Sequence, residues 1–153
     1  NEVVIRHAGD PEGPRALKRF MLIFGLGISA LVGLVAATPL GELWYVDLER
    51  IPEDGMSMAR LATWLMVPMP FLTFLISYWQ GMLVHAHQTR PISEGVGIGL
   101  ATIGLVLVIF VSLGTVPGGV AATLAITVAG VLQAAWLAIR WNRVRRRTLV
   151  TGG

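Results

Sequence analysis

The sequence contains no cysteine, which excludes disulfides and thiolate metal sites and leaves the redox compartment unread. Charge is scarce too: 14% of the 153 residues are Asp, Glu, Lys or Arg, against 54% hydrophobic, whereas a soluble domain is about one quarter charged. A water-soluble globule fits that balance poorly. The chain has no Ser-His-Asp set, no glycine loop of the kind that cradles phosphate and no HExxH, so catalysis has no candidate constellation and no enzyme is expected. His85 and His87 stand two apart, a spacing that does not put them on one helix face. No acid or cysteine accompanies them, so neither a metal nor a cofactor is expected. The net charge of +3 does not point to nucleic acid, because the arginines flank apolar runs rather than forming a polar face.

Long uncharged intervals dominate what is present. There are 22 uncharged residues between Arg19 and Glu42, 24 between Arg60 and His85, and 45 between Glu94 and Arg140. About 20 helical residues cross a hydrocarbon core. The first two intervals each suffice for one crossing, and the third is long enough for two, folding back at Gly114-Thr115-Val116-Pro117-Gly118-Gly119, where proline and glycines favour a turn. The expected fold is all-α: a polytopic membrane protein with four transmembrane helices in a bundle, spanning about 20–40, 61–84, 92–113 and 120–139. A polar lead-in (1–19) and a basic tail (140–153) flank this domain. Residue 1 is Asn, and the chain reads as a portion of a longer protein; a processed or trimmed chain is the alternative. A signal peptide ending at Val35-Ala36-Ala37 is a weaker match, since its apolar stretch is too long.

Ten of the 12 Lys and Arg residues fall in the lead-in, the second loop (Arg90) and the tail (Arg140, Arg143, Arg145, Arg146, Arg147). Positive residues stay inside, which puts both termini in the cytoplasm and makes Arg90 and the tail arginines anchors to anionic headgroups of a plasma (inner) membrane. Trp44, Tyr45 and Trp64 near the outer ends, and Tyr78, Trp79, Trp136 and Trp141 near the inner ends, agree with that topology. The first loop, 41–59, is acidic, and its Trp44-Tyr45-Val46-Asp47-Leu48 stretch suits the interface.

Within the spans, Gly95 and Gly99 form a small-xxx-small pair, with Gly104 farther along and Gly118 and Gly119 at the last turn; all are candidates for close helix packing. Pro68 and Pro70 interrupt the second span, either as a static kink or as a hinge. Glu94 is open to two readings. With Ser93 it suits a helix cap, and as an acid in the membrane it suits a proton- or cation-coupling site. Gln80 and Gln133 need hydrogen-bond partners in lipid, from a neighbouring helix or a substrate.

The order of short motifs carries a resemblance. Arg15-Ala16-Leu17-Lys18-Arg19-Phe20 leads into a span ending Thr38-Pro39-Leu40; Gly81 and Thr89-Arg90-Pro91 follow; Pro117-Gly118-Gly119-Val120-Ala121-Ala122 joins the last pair. From Pro14 to Arg146 this resembles the last four helices of a half in the multidrug/oligosaccharidyl-lipid/polysaccharide (MOP) exporter superfamily, which includes MATE-type transporters and lipid-linked glycan flippases. It is most similar to the progressive ankylosis protein group. Ala121 stands where that family's last turn usually has its second glycine. The resemblance implies about twelve helices in two pseudo-symmetric halves that rock around a midplane cleft. This chain would then be the C-terminal part of a secondary-active exporter or flippase for a lipid-linked glycan, an amphipathic drug or a small organic or phosphate anion. It would be partnered by N-terminal helices of the same protein or by a second copy. The alternative is a self-contained four-helix structural or assembly subunit without transport activity.

Overall fold

The computed structural model describes residues 13–38, 41, 55–114 and 116–151, with backbone only at 13–15, 17 and 147–151. Residues 42–54, most of the acidic loop with Trp44 and Tyr45, lie outside the described residues. Five helices are present among them: α1 (Gly13–Ala37), α2 (Met56–Met66), α3 (Met69–His85), α4 (Arg90–Leu113) and α5 (Gly118–Thr151). Among the described residues they supply four segments long and apolar enough to cross a membrane, with α2 and α3 together making one of 30 residues.

The break in the second span follows the sequence reading, and two element boundaries depart from it. The second span is interrupted at Val67 and Pro68, because Pro68 and Pro70 lack the N–H groups that would bond to carbonyls one turn back. Both break residues keep right-handed helical dihedrals (φ −49, ψ −42 at Val67; φ −74, ψ −13 at Pro68), so the chain is interrupted without unwinding into a loop. The third helix starts at Arg90, with Thr89 at its cap and Pro91 in its first turn. That places Ser93 and Glu94 inside the helix and removes the capping reading of this pair. Finally, the basic tail does not leave the fourth span. α5 runs for 34 residues, about 51 Å at 1.5 Å per residue, well beyond an apolar core of about 30 Å. The turn between α4 and α5 follows the sequence: Gly114 takes φ +60 and donates its N–H to the Phe110 carbonyl at 3.1 Å, a left-handed helix terminus that suits glycine.

α5 touches α4, α3 and α2, while α1 lies against α3 and, less extensively, α2. The residues of α5 that allow this are small: Ala121, Ala125 and Ala129 are buried at four-residue spacing, with Ala134 and Leu137 continuing the stripe. Small side chains bring helix backbones together where lipid provides no hydrophobic drive. Leu72, Tyr78, Met82 and Leu83 of α3 complete the interior. α4 meets α5 along its length but barely touches α3, and Leu100, Leu105, Val108 and Val111 stand exposed on it.

Candidate functional site

Two polar constructions interrupt the apolar interior. The first is the break in the second span. A backbone group freed by proline must find another partner in an apolar setting, and here the neighbouring helices supply hydroxyls. Ser29 of α1, buried, accepts the Phe71 N–H at 3.2 Å through its Oγ. Thr127 of α5 donates its hydroxyl to the Leu65 carbonyl at 2.9 Å and has its own helix's Thr123 carbonyl at the same distance, so one proton serves two acceptors. Opposite the break, α5 presents Gly130, where a Cβ would meet Met69 Sδ at 3.4 Å and Leu72 Cδ1 at 3.5 Å. The interruption is therefore held on both sides.

The second construction is the α4–α5 seam. The helices are antiparallel, and small residues of α4 face large ones of α5: a Cβ on Gly99 would stand 3.3 Å from Gln133 Oε1, and one on Gly95 would stand 3.4 Å from both Leu137 Cδ2 and Trp136 Cδ1. One turn nearer the end of the seam, Arg140 hydrogen-bonds Glu94 Oε2 through Nη2, and Arg90 bonds Glu94 Oε1 at 3.0 Å. The Arg140 guanidinium also lies 4.6 Å from the centre of the Trp136 ring, within range of a cation–π contact. Glu94 and Arg140 keep 27% and 31% of their side-chain surface accessible, so the pair sits at the edge of the apolar interior. It opens on a shallow groove lined by Glu94, Gly97, Ile98, Ala101, Trp136 and Arg140.

The sequence candidates distribute unevenly over these features. Glu94 and Gln133 share the seam with Gly95 and Gly99; Gln80 stands on α3, half-buried and with a partner of its own. Pro68 and Pro70 form the break. Gly104, Gly118 and Gly119 do not take part in close packing, since a Cβ at any of them would meet nothing within 4 Å. Arg90 is the exposed partner of Glu94 (89% accessible), Arg143 lines a separate cleft with Arg140, and Arg145 and Arg146 are exposed on the extension of α5. The side chain of Arg147 lies outside the described residues. Ser29 and Thr127 were not singled out by sequence, although both are hydroxyls in otherwise apolar spans, which is the available signal; Arg140 was read only as one of the tail arginines, not as the partner of Glu94.

Replacing Glu94 by Gln removes the charge that Arg140 faces. Because water reaches the pair, the expected loss is modest, about 1 kcal/mol, read as a lower melting temperature in detergent. An unchanged melt would show that the ion pair contributes nothing to the seam.

Comparison of the chain with protein-family models, with curated proteins and with solved structures finds no match.

Proposed function

We propose that the chain is a transmembrane module of a secondary-active exporter or flippase of the MOP type, oriented with both termini in the cytoplasm. The observation that carries the reading is the interruption of the 30-residue second span near its midpoint. Transporters place substrate and ion sites at discontinuous helices near the bilayer midplane, and hinges absorb the rocking of one half against the other. Pro68 and Pro70 are the hinge, and the Ser29 and Thr127 hydroxyls hold it without covalent constraint. Glu94, Gln133 and Gln80 are the polar groups of the pathway. The substrate classes are a lipid-linked glycan, an amphipathic drug or a small organic or phosphate anion.

One observation favours the alternative, a structural or assembly subunit. Gly97, Ala101 and Gly104 make a second small-residue face on α4, exposed and bordering the groove beside Trp136 and Arg140, of the kind that receives another helix. Reconstitution separates the two. Liposomes carrying the chain together with the N-terminal helices that the exporter reading requires, with an imposed proton or sodium gradient, are assayed for a fluorescent lipid, a cationic dye and radiolabelled phosphate. The Pro68→Ala/Pro70→Ala variant is expected to lose transport about ten-fold or more while remaining folded, because the continuous helix removes the motion that gates the cycle. Wild-type transport by that variant rejects the hinge, and no transport of any probe by the unaltered protein favours the assembly subunit.

The orientation has its own test. A cysteine at Glu53 is expected to react with a membrane-impermeant thiol reagent in intact cells, and one at His87 is expected to stay unlabelled until the cells are opened. Reversed labelling inverts the topology.

A further inference from the structure

Beside the Glu94–Arg140 pair, on the side away from the shallow groove, the α3–α4 connector and the far end of α5 enclose a second cleft. Its lining is Gln88, Pro91, Arg140, Arg143 and Val144, and its volume is about 110 Å³, several times what one water occupies. Two features give it a chemistry. Two guanidinium groups border it, and Arg140 cannot be neutralised within it by Glu94 alone, because Glu94 is shared with Arg90. The first turn of α4 opens at the same place, with no side-chain cap on it, and a helix N-terminus adds partial positive charge. An anion suits both.

The position of the cleft identifies the form of that anion. α3 ends at His85 and α4 begins at Arg90, so the cleft lies where the apolar segments stop, at the depth of the headgroups. Two walls, Pro91 and Val144, are apolar. We propose that this cleft is a binding site for the phosphodiester of an anionic phospholipid headgroup, bridged by Arg140 and Arg143 with Gln88 as a neutral hydrogen-bonding partner. Basic clefts between transmembrane helices recognise such headgroups by this combination of charge and depth. The inference does not depend on the transport reading or on which side of the membrane the cleft faces.

The chain, purified in a neutral detergent, is titrated with phosphatidylglycerol, with phosphatidylcholine, and with inorganic phosphate as a soluble source of the same chemistry, and retained lipids are counted by native mass spectrometry. One phosphatidylglycerol is expected to be retained in preference to phosphatidylcholine. Arg143→Gln and Gln88→Glu are each expected to weaken that retention about five-fold or more, since one basic group near a headgroup contributes on the order of 1 kcal/mol. Both positions are exposed, and helical content by circular dichroism verifies that the variants fold. Arg146→Gln, outside the cleft, is expected to retain the lipid as the wild type does. In about 1 M salt, where diffuse attraction is screened within about 3 Å, the difference between wild type and Arg143→Gln should persist. Equal retention of the two lipids, wild-type behaviour of both cleft variants, or loss of the difference in high salt overturns the proposal. Displacement of the lipid by millimolar phosphate also overturns it, because the site would then be a soluble-anion site.

Discussion

Gly95→Leu is expected to destabilise the folded helices by about 3 kcal/mol, the upper end of what overpacking costs, and to melt well below the wild type in detergent. The reason is the neighbour it meets. Gly95 is buried and faces Leu137, which is itself completely inaccessible, so a leucine there can be housed only by moving α4 off α5. That displacement would also pull Glu94 from Arg140. Gly95→Ala should be tolerated, since its one added carbon would stand at ordinary van der Waals distance, 3.4 Å, from Leu137 and Trp136. Gly99→Leu should fall between the two, because it meets the end of the flexible Gln133 side chain. Leu105→Ala, on an exposed position, should leave the melt unchanged. If Gly95→Leu melts with the wild type, the close approach of α4 and α5 is wrong.

The second large effect is one of coupling. Ser29→Ala together with Thr127→Val strands the Phe71 N–H and the Leu65 carbonyl, and at about 1 kcal/mol for each interhelical bond the pair should cost about 2 kcal/mol. The same pair in a Pro68→Ala/Pro70→Ala background should cost under about 0.5 kcal/mol. With the prolines gone the helix becomes continuous, Met69 can donate to Leu65 and Phe71 to Val67 in the ordinary α pattern, and the hydroxyls lose their task. A four-corner thermal-melt cycle measures this. Equal costs in the two backgrounds would mean that the hydroxyls do not serve the break.

The helical class and the four spans were legible because they depend on length and on the avoidance of charge, which are one-dimensional properties. The break at Pro68 was legible for the same reason: a missing N–H is a property of the residue alone. The partners of the break were not. Ser29 and Thr127 lie 42 and 62 residues from the groups they bond, and no local pattern specifies which hydroxyl of an apolar span reaches across. The α4–α5 seam is an intermediate case. Glu94 lies 23 residues before Pro117 and Arg140 lies 23 residues after it, so folding the chain symmetrically at that proline brings acid and base together. Reading Glu94 as a helix cap missed this, because Thr89-Arg90-Pro91 begins the helix a turn earlier than Ser93. Of the glycines, Gly95 and Gly99 are distinguished from Gly97 and Gly104 only by which side of α4 the partner helix occupies, and that is a tertiary fact.

The dependence of the break on α5 also has a history in time. During synthesis Leu65 emerges first and Thr127 follows 62 residues later, an interval of roughly 3 to 12 seconds at ordinary translation rates. Through that interval the second span must enter the bilayer with its Leu65 carbonyl satisfied by something other than its final partner, whether water, lipid headgroup or insertion machinery. A ribosome that stalls before α5 therefore leaves a second span whose Leu65 carbonyl has not met the hydroxyl that holds it in the folded chain.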